Sequence, residues 1–202
     1  TTINGTFQLN AGGYTNSGNN FTYGAAGNLN FNNTSSYGVN NSDQYWPTTS
    51  GPFNVNVLQG GVTLNSANRT VAGTFATASG VTLNSSTLTL SGTNQINAGG
   101  FFNQTPTYSG TTSTLIYNNV GAFNITSEWT GGGSAAPTVG SGVPGNVIIQ
   151  LVSNVALAGA RGVPGNINIV TSASSVLTLN TTAGDLYLGG NLTQNGGSGG
   201  LI

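Results

Sequence analysis

Few residues in this 202-residue chain can do chemistry, and their types and spacing set the first limits on function. His and Cys are absent, two residues are cationic and three anionic, for a formal net charge of −1. The five are Asp43, Arg69, Glu128, Arg161 and Asp185. Acid–base or nucleophilic catalysis needs positioned pairs of such groups. A glycosidase-type carboxylate pair would have to be drawn from three acids that lie far apart in the chain. No thiolate or imidazole is present to hold a transition metal, no loop has the acidic spacing of an EF-hand or a calcium-binding nonapeptide, and no glycine pattern of a nucleotide loop occurs. The expectation is a non-enzyme without catalytic residues, cofactor or metal. A chain so close to neutral offers no basic stripe to nucleic acid. Its longest apolar stretch, 147–160, is broken by Gln150, Ser153 and Asn154 and is too short to cross a bilayer as a helix. Neither nucleic acid nor membrane insertion is expected.

The charges recur in order. Asp43 precedes Trp46 and Glu128 precedes Trp129, and an arginine follows each, Arg69 and Arg161. The spacing predicts structural ion pairs, Asp43 with Arg69 and Glu128 with Arg161, pinning one turn of the fold to the next. Losing one partner of a buried pair costs about 3–5 kcal/mol. The wider second interval contains the extra loop GGGSAAPTVGSG at 131–142.

The elements that must hold these residues are strands. Segments such as FNVNVL at 53–58, LTL at 88–90 and NINIV at 166–170 place β-formers two apart, the period of a strand with one buried face. No 3.6-residue apolar stripe persists, so essentially no helix is expected. GVPGNVII at 142–149 is followed twenty residues on by GVPGNINI at 162–169, and a fixed short period is the mark of a solenoid. The fold class predicted is all-β, a right-handed parallel β-solenoid (β-helix) of about ten rungs of about 20 residues, a rod roughly 45–50 Å long at the spacing of hydrogen-bonded strands. Val147 should stack on Ile167 and Ile149 on Ile169, with Pro144-Gly145 and Pro164-Gly165 as rung corners in type II turns, glycine taking the left-handed position. Stacked Asn side chains should hydrogen-bond from rung to rung.

A longer repeat overlies the rungs. Trp46 is answered by Trp129, Arg69 by Arg161 and NVNV at 54–57 by NVII at 146–149. Residues 1–202 therefore read as one continuous solenoid segment, with copies at approximately 1–93 and 94–190 and the start of a third at 191–202. Both ends read as cuts through a longer polypeptide. Aromatic residues gather in the first half of each copy, as a core wider in some rungs than in others would require. Thr63, Thr82, Thr89 and Thr178 each lie between two inward aliphatics and should face outward, a possible threonine ladder.

The order TSTLIYNN, SEWT, GVPGNVII, ALAGAR, PGNINIV and SVLTLNTTAGDLYLGGNLTQNGG resembles the repeats of very large secreted bacterial surface proteins of the type IX secretion kind. The resemblance implies an extracellular or cell-surface solenoid that serves adhesion, surface coating or community structure, and it supplies no catalytic residues. The leading expectation is a structural segment of an extracellular bacterial adhesin or filament, a stiff rod for surface attachment or matrix structure. Its partners would be adjacent repeats or other copies of itself, stacked end to end or laterally, and surface glycans. The alternative is an ice-binding or glycan-binding solenoid module built on the threonine ladder.

Overall fold

The alternating segments form strands, and every pairing between named strands is parallel. The computed structural model describes residues 1–13, 18–151, 153–170, 175–179, 185–195 and 200–201, and none of these is helical. The chain coils through three faces. The longest is a nine-stranded sheet in sequence order: Thr6–Asn10, Asn28–Asn32, Asn54–Gln59, Thr74–Thr77, Thr93–Asn97, Thr114–Asn118, Asn146–Gln150, Ile167–Val170 and Leu192–Asn195. A second face carries Tyr37–Asn40, Val62–Asn65, Gly80–Asn84 and Phe101–Phe102, then Gly121–Asn124, Ser153–Ala156, Val176–Thr178 and Gly200–Leu201. The third is interrupted: Thr2–Ile3 with Thr22–Tyr23, then Arg69–Val71, Leu88–Leu90 and Thr107–Tyr108, then Arg161–Val163 with Leu186–Leu188.

Register along the long face gives the length of each turn. Thr6 pairs with Asn28 and Asn28 with Asn54, steps of 22 and 26 residues. Steps of 20, 19 and 21 follow, through Val55↔Phe75, Thr74↔Thr93 and Thr93↔Thr114. Thr114↔Asn146 is a step of 32, Val147↔Ile167 of 20 and Ile167↔Leu192 of 25. Nine strands thus bound eight turns of about 22 residues, not ten of 20, and the first and last strands stand about 38 Å apart at the usual strand spacing. The turns that hold Trp46 and Trp129 are the longest two, and they fall four turns apart.

Side chains on the inner face are aliphatic or aromatic, as the alternation requires. Val55, Val57, Val62, Leu64, Val81, Leu88, Leu90, Val147, Ile149, Ile167 and Ile169 are all at or below one per cent exposure. Val147 stacks on Ile167 and Ile149 on Ile169 as expected. Outside, amides stack along the long face. Asn32 donates to Asn10 at 3.0 Å and Gln59 to Asn32 at 2.9 Å; Asn118 donates to Asn97 at 2.8 Å and Gln150 to Asn118 at 3.0 Å. Such ladders satisfy polar groups without charge and lock register between turns.

The corner before most long-face strands is a glycine. Gly27, Gly73, Gly92, Gly145, Gly165 and Gly190 occupy it, with Phe53 and Ser113 at two of the other turns, and Gly165 N–H donates to Gly145 O at 2.9 Å while Gly190 N–H donates to Gly165 O at 2.8 Å. Gly145 and Gly165 do not take the left-handed conformation expected of a type II turn. Their glycine is required by closeness: a Cβ on Gly145 would fall 2.5 Å from Thr111 O, and one on Gly165 2.5 Å from Gly145 O. Backbone rests on backbone at these two corners and leaves no room for a side chain.

Candidate functional site

The third face is interrupted at the two tryptophan turns because a loop replaces its strand there. In the first, Gln44 O accepts from Phe21 N–H at 3.0 Å and Ser50 O from Tyr23 N–H at 2.9 Å, so the chain around Trp46 caps the preceding turn. In the second, Gly140 O accepts from Tyr108 N–H at 3.0 Å and Gly131 O from Gly162 N–H at 3.0 Å. Both tryptophans are fully buried. A tyrosine of the preceding turn fastens each loop at the residue before its tryptophan: Tyr23 donates to Tyr45 O at 2.6 Å and Tyr108 to Glu128 O at 2.8 Å.

That symmetry makes Tyr45, not Asp43, the counterpart of Glu128. Tyr45 packs edge-on to Phe31 and Tyr37, with centroids 6.3 and 5.7 Å away, and its hydroxyl donates to Asp43 Oδ2 at 2.7 Å. Asn40 N–H donates to the same oxygen at 2.7 Å. In the second loop the acid itself is inside. Glu128 Oε1 accepts from Tyr117 OH and from Thr126 N–H, both at 3.1 Å, and Oε2 accepts from the Thr126 hydroxyl. Burial raises the Glu128 carboxyl above its ordinary pKa, against the pull of the Thr126 and Tyr117 donors. Burial likewise raises Tyr23, Tyr45, Tyr108 and Tyr117, which stay neutral phenols.

The two expected ion pairs are not formed. Arg69 occupies an inward position of the third face, 2 % exposed, and sends Nη2 to Asn40 O at 2.8 Å and Asn41 O at 3.4 Å, and Nη1 to Asn68 O at 2.8 Å. Asp43 lies close enough to oppose the lowering of its pKa by burial, but its Oδ2 is already held within its own turn. Arg161 repeats the pattern with Nη1 to Ala160 O at 2.9 Å. The arginine therefore grips carbonyls of the loop or its own corner, where the sequence suggested carboxylates. Nε of both arginines is buried without a partner.

The threonines expected to form one ladder divide between faces. Thr63 and Thr82 are register partners on the second face, where Thr63 Oγ1 shares a hydrogen bond with Ser36 and Thr82 Oγ1 accepts from Asn103 at 2.8 Å. Thr178 pairs with Ala156 and donates to Asn154 at 3.1 Å. Thr89 instead belongs to the third face, flanked by Thr70 and Thr107. That file was not anticipated, although the T-x-T spacing of Thr87 and Thr89, and of Thr105 and Thr107, carries the signal for it.

Beside this file, the first loop leaves two adjoining clefts. One, of about 310 Å³, is lined by Tyr23, Pro47, Thr48, Pro52, Phe53 and Thr70 among others. The other, of about 420 Å³, is lined by Thr48, Asn68, Arg69, Thr70, Thr87 and Thr89. At the corresponding place in the second loop, Gly162 stands where Thr70 does, and the chain packs flush upon it: a Cβ on Gly162 would lie 2.0 Å from Gly132 O and 2.6 Å from Pro137 Cβ. Compared with known proteins, the chain matches no family model, no curated protein and no solved structure.

Proposed function

We propose that this chain is a structural, non-catalytic segment of an extracellular bacterial adhesin or filament, working at the cell surface as a stiff rod. The observation that supports it best is the long face, whose nine parallel strands follow one another in sequence order along a single stacking direction. Each strand is tied to the next by main-chain hydrogen bonds and, at many positions, by an Asn or Gln ladder. Load along the axis is then shared by every bond of a rung, and each four-turn repeat adds about 19 Å of length at the usual strand spacing. Stacking against further repeats, or laterally against other copies, would satisfy the main-chain groups that a terminal rung exposes.

The outer surface suits such a role, because uncharged Asn, Thr, Ser and Gly make many weak polar contacts and little salt-dependent attraction. The resemblance to repeats of large secreted surface proteins points the same way. The test is length: tandem fusions of this chain, imaged by negative-stain electron microscopy, should give thin rods that lengthen in proportion to the number of copies. Particles that grow in every dimension would refute the rod.

A further inference from the structure

We propose that the cleft beneath the first tryptophan loop, with the threonine file that runs out of it, is a binding site for an uncharged polysaccharide. The reading is independent of whether the chain serves as a rod. Two outward files run along the third face, Asn68–Thr87–Thr105 and Thr70–Thr89–Thr107, the second fixed directly by register. The hydroxyls of Thr70, Thr87, Thr89 and Thr107 make no hydrogen bond to the described residues. Those of Thr63, Thr82 and Thr178, on the second face, are all engaged. Free donor–acceptor groups are thus concentrated where the cleft opens.

Arg69 backs the same cleft at 2 % exposure. Its Nη atoms are held by the carbonyls of Asn40, Asn41 and Asn68, and its Nε is sealed from solvent without a partner, as is that of its counterpart Arg161, so the guanidinium is a rigid floor to the cleft and offers no free donor. The adjoining cleft supplies an apolar wall: Phe53, 41 % exposed, lies against Gly73, a Cβ on which would meet the ring at 2.5 Å. Hydroxyl files and a half-exposed ring are the complement of a sugar, which presents hydroxyls on its rim and C–H groups on its faces. The two volumes lie at the lower end of small-ligand sites, room for a short stretch of a chain that continues along the file.

Recognition of an anion would need a reachable N–H donor, and Arg69, the single cation lining either cleft, is 2 % exposed with both Nη atoms held by carbonyls and Nε sealed. The relief decides against ice. The loop from Pro47 to Phe53 rises beside the file and turns the surface into a trough, whereas a crystal plane needs an open flat face.

Native gels cast with dextran, mannan or laminarin provide the test, with dextran sulfate as the charged control. The chain should be retarded by at least one neutral polymer, with affinity falling tenfold or more in T70V/T89V and unchanged in T63V/T82V. A measurement on the unaltered chain guards against a variant that misfolds: in hydroxyl-radical footprinting, the retarding polymer should shield Phe53 and leave Phe101, of similar exposure on another face, reactive. Lack of retardation by every neutral polymer, equal loss in T63V/T82V, protection of Phe101 rather than Phe53, or retardation by dextran sulfate alone would each overturn the site.

Discussion

The two tryptophan loops solve one packing problem in different ways, and the difference explains why the first borders two clefts while the second packs flush upon Gly162. Both replace a third-face strand, bury an indole and are fastened by a tyrosine from the turn before. The first turn takes 26 residues and fills the slot beside its tryptophan with the ring of Tyr45, leaving the acid at the half-exposed Asp43. The second takes 32 and fills the same slot with Glu128, fully buried among hydroxyl donors. Its extra residues, Gly131 to Pro137, lie down on Gly162 and close the space that Thr70 holds open in the first. A repeat can therefore keep its register-setting frame and convert a filled corner into an open one by exchanging a glycine for a threonine and shortening a loop.

The largest effect that sharpens this comparison is at the indoles. Trp129→Ala and Trp46→Ala should each destabilise the fold by about 3–5 kcal/mol, the usual cost of emptying so large a buried volume. Trp129 should be the more costly by about 1 kcal/mol, because its Nε1–H donates to Gly162 O at 3.1 Å while that of Trp46 has no partner. Urea denaturation of both variants measures the difference, and a reversed order would mean that the loops do not rest on their tryptophans in the way described. Next in size, Arg69→Met should cost about 1.5–3 kcal/mol, the range for charged hydrogen bonds to buried groups. Asp43→Asn should cost less than about 1 kcal/mol. A double-mutant cycle giving strong coupling between the two would restore the ion pair that the sequence suggests.

How far the sequence could be read depended on which physical constraint spoke at each position. Alternation separates inward from outward residues, so Val147 over Ile167 and the buried run from Val55 to Leu90 were legible, as were the amide ladders. Alternation does not say which of three faces a strand belongs to. Thr63 and Thr89 both read as outward, yet one is engaged on the second face and the other stands free on the third. The number of turns was misread because the tryptophan turns are longer than their neighbours and follow no fixed period. Gly145 and Gly165 were read as conformational glycines when the constraint is a neighbouring carbonyl 2.5 Å from the missing Cβ. Left-handed positions fall at other glycines, among them Gly12 at φ 76°, Gly60 at φ 73° and Gly99 at φ 84°, and also at serines, Ser66 at φ 49° and Ser85 at φ 51°, which nothing in the residue type announces. The acids were matched by their order before a tryptophan, and that order concealed that Tyr45 fills the place of Glu128.

Exchange of the corner residues tests the open-and-filled contrast more gently. Gly162→Thr must displace Gly132 and Pro137 and should cost about 1–3 kcal/mol by overpacking, with new proteolytic sensitivity confined to 131–137. Thr70→Gly, at an exposed position with ordinary backbone, should cost no more than about 1 kcal/mol. If both changes proved equally mild, the second loop would not be seated on Gly162.

The smallest expected effect concerns proton binding at Glu128, the acid that fills the second loop. Burial holds the Glu128 pKa above its ordinary value of 4.5, though the donors from Thr126 and Tyr117 offset part of that shift. The folded state thus keeps its proton to a higher pH than the unfolded chain does, so the stability this group contributes is complete below about pH 4.5, declines as pH rises through the folded pKa, and is constant beyond it. Glu128→Gln should abolish that decline, because the amide can accept from Thr126 N–H and donate to a neighbouring hydroxyl oxygen at every pH. Urea midpoints measured from pH 4 to pH 8 for the parent and Glu128→Gln decide the matter, and a decline of equal size in both would mean that Glu128 is not the proton-holding group.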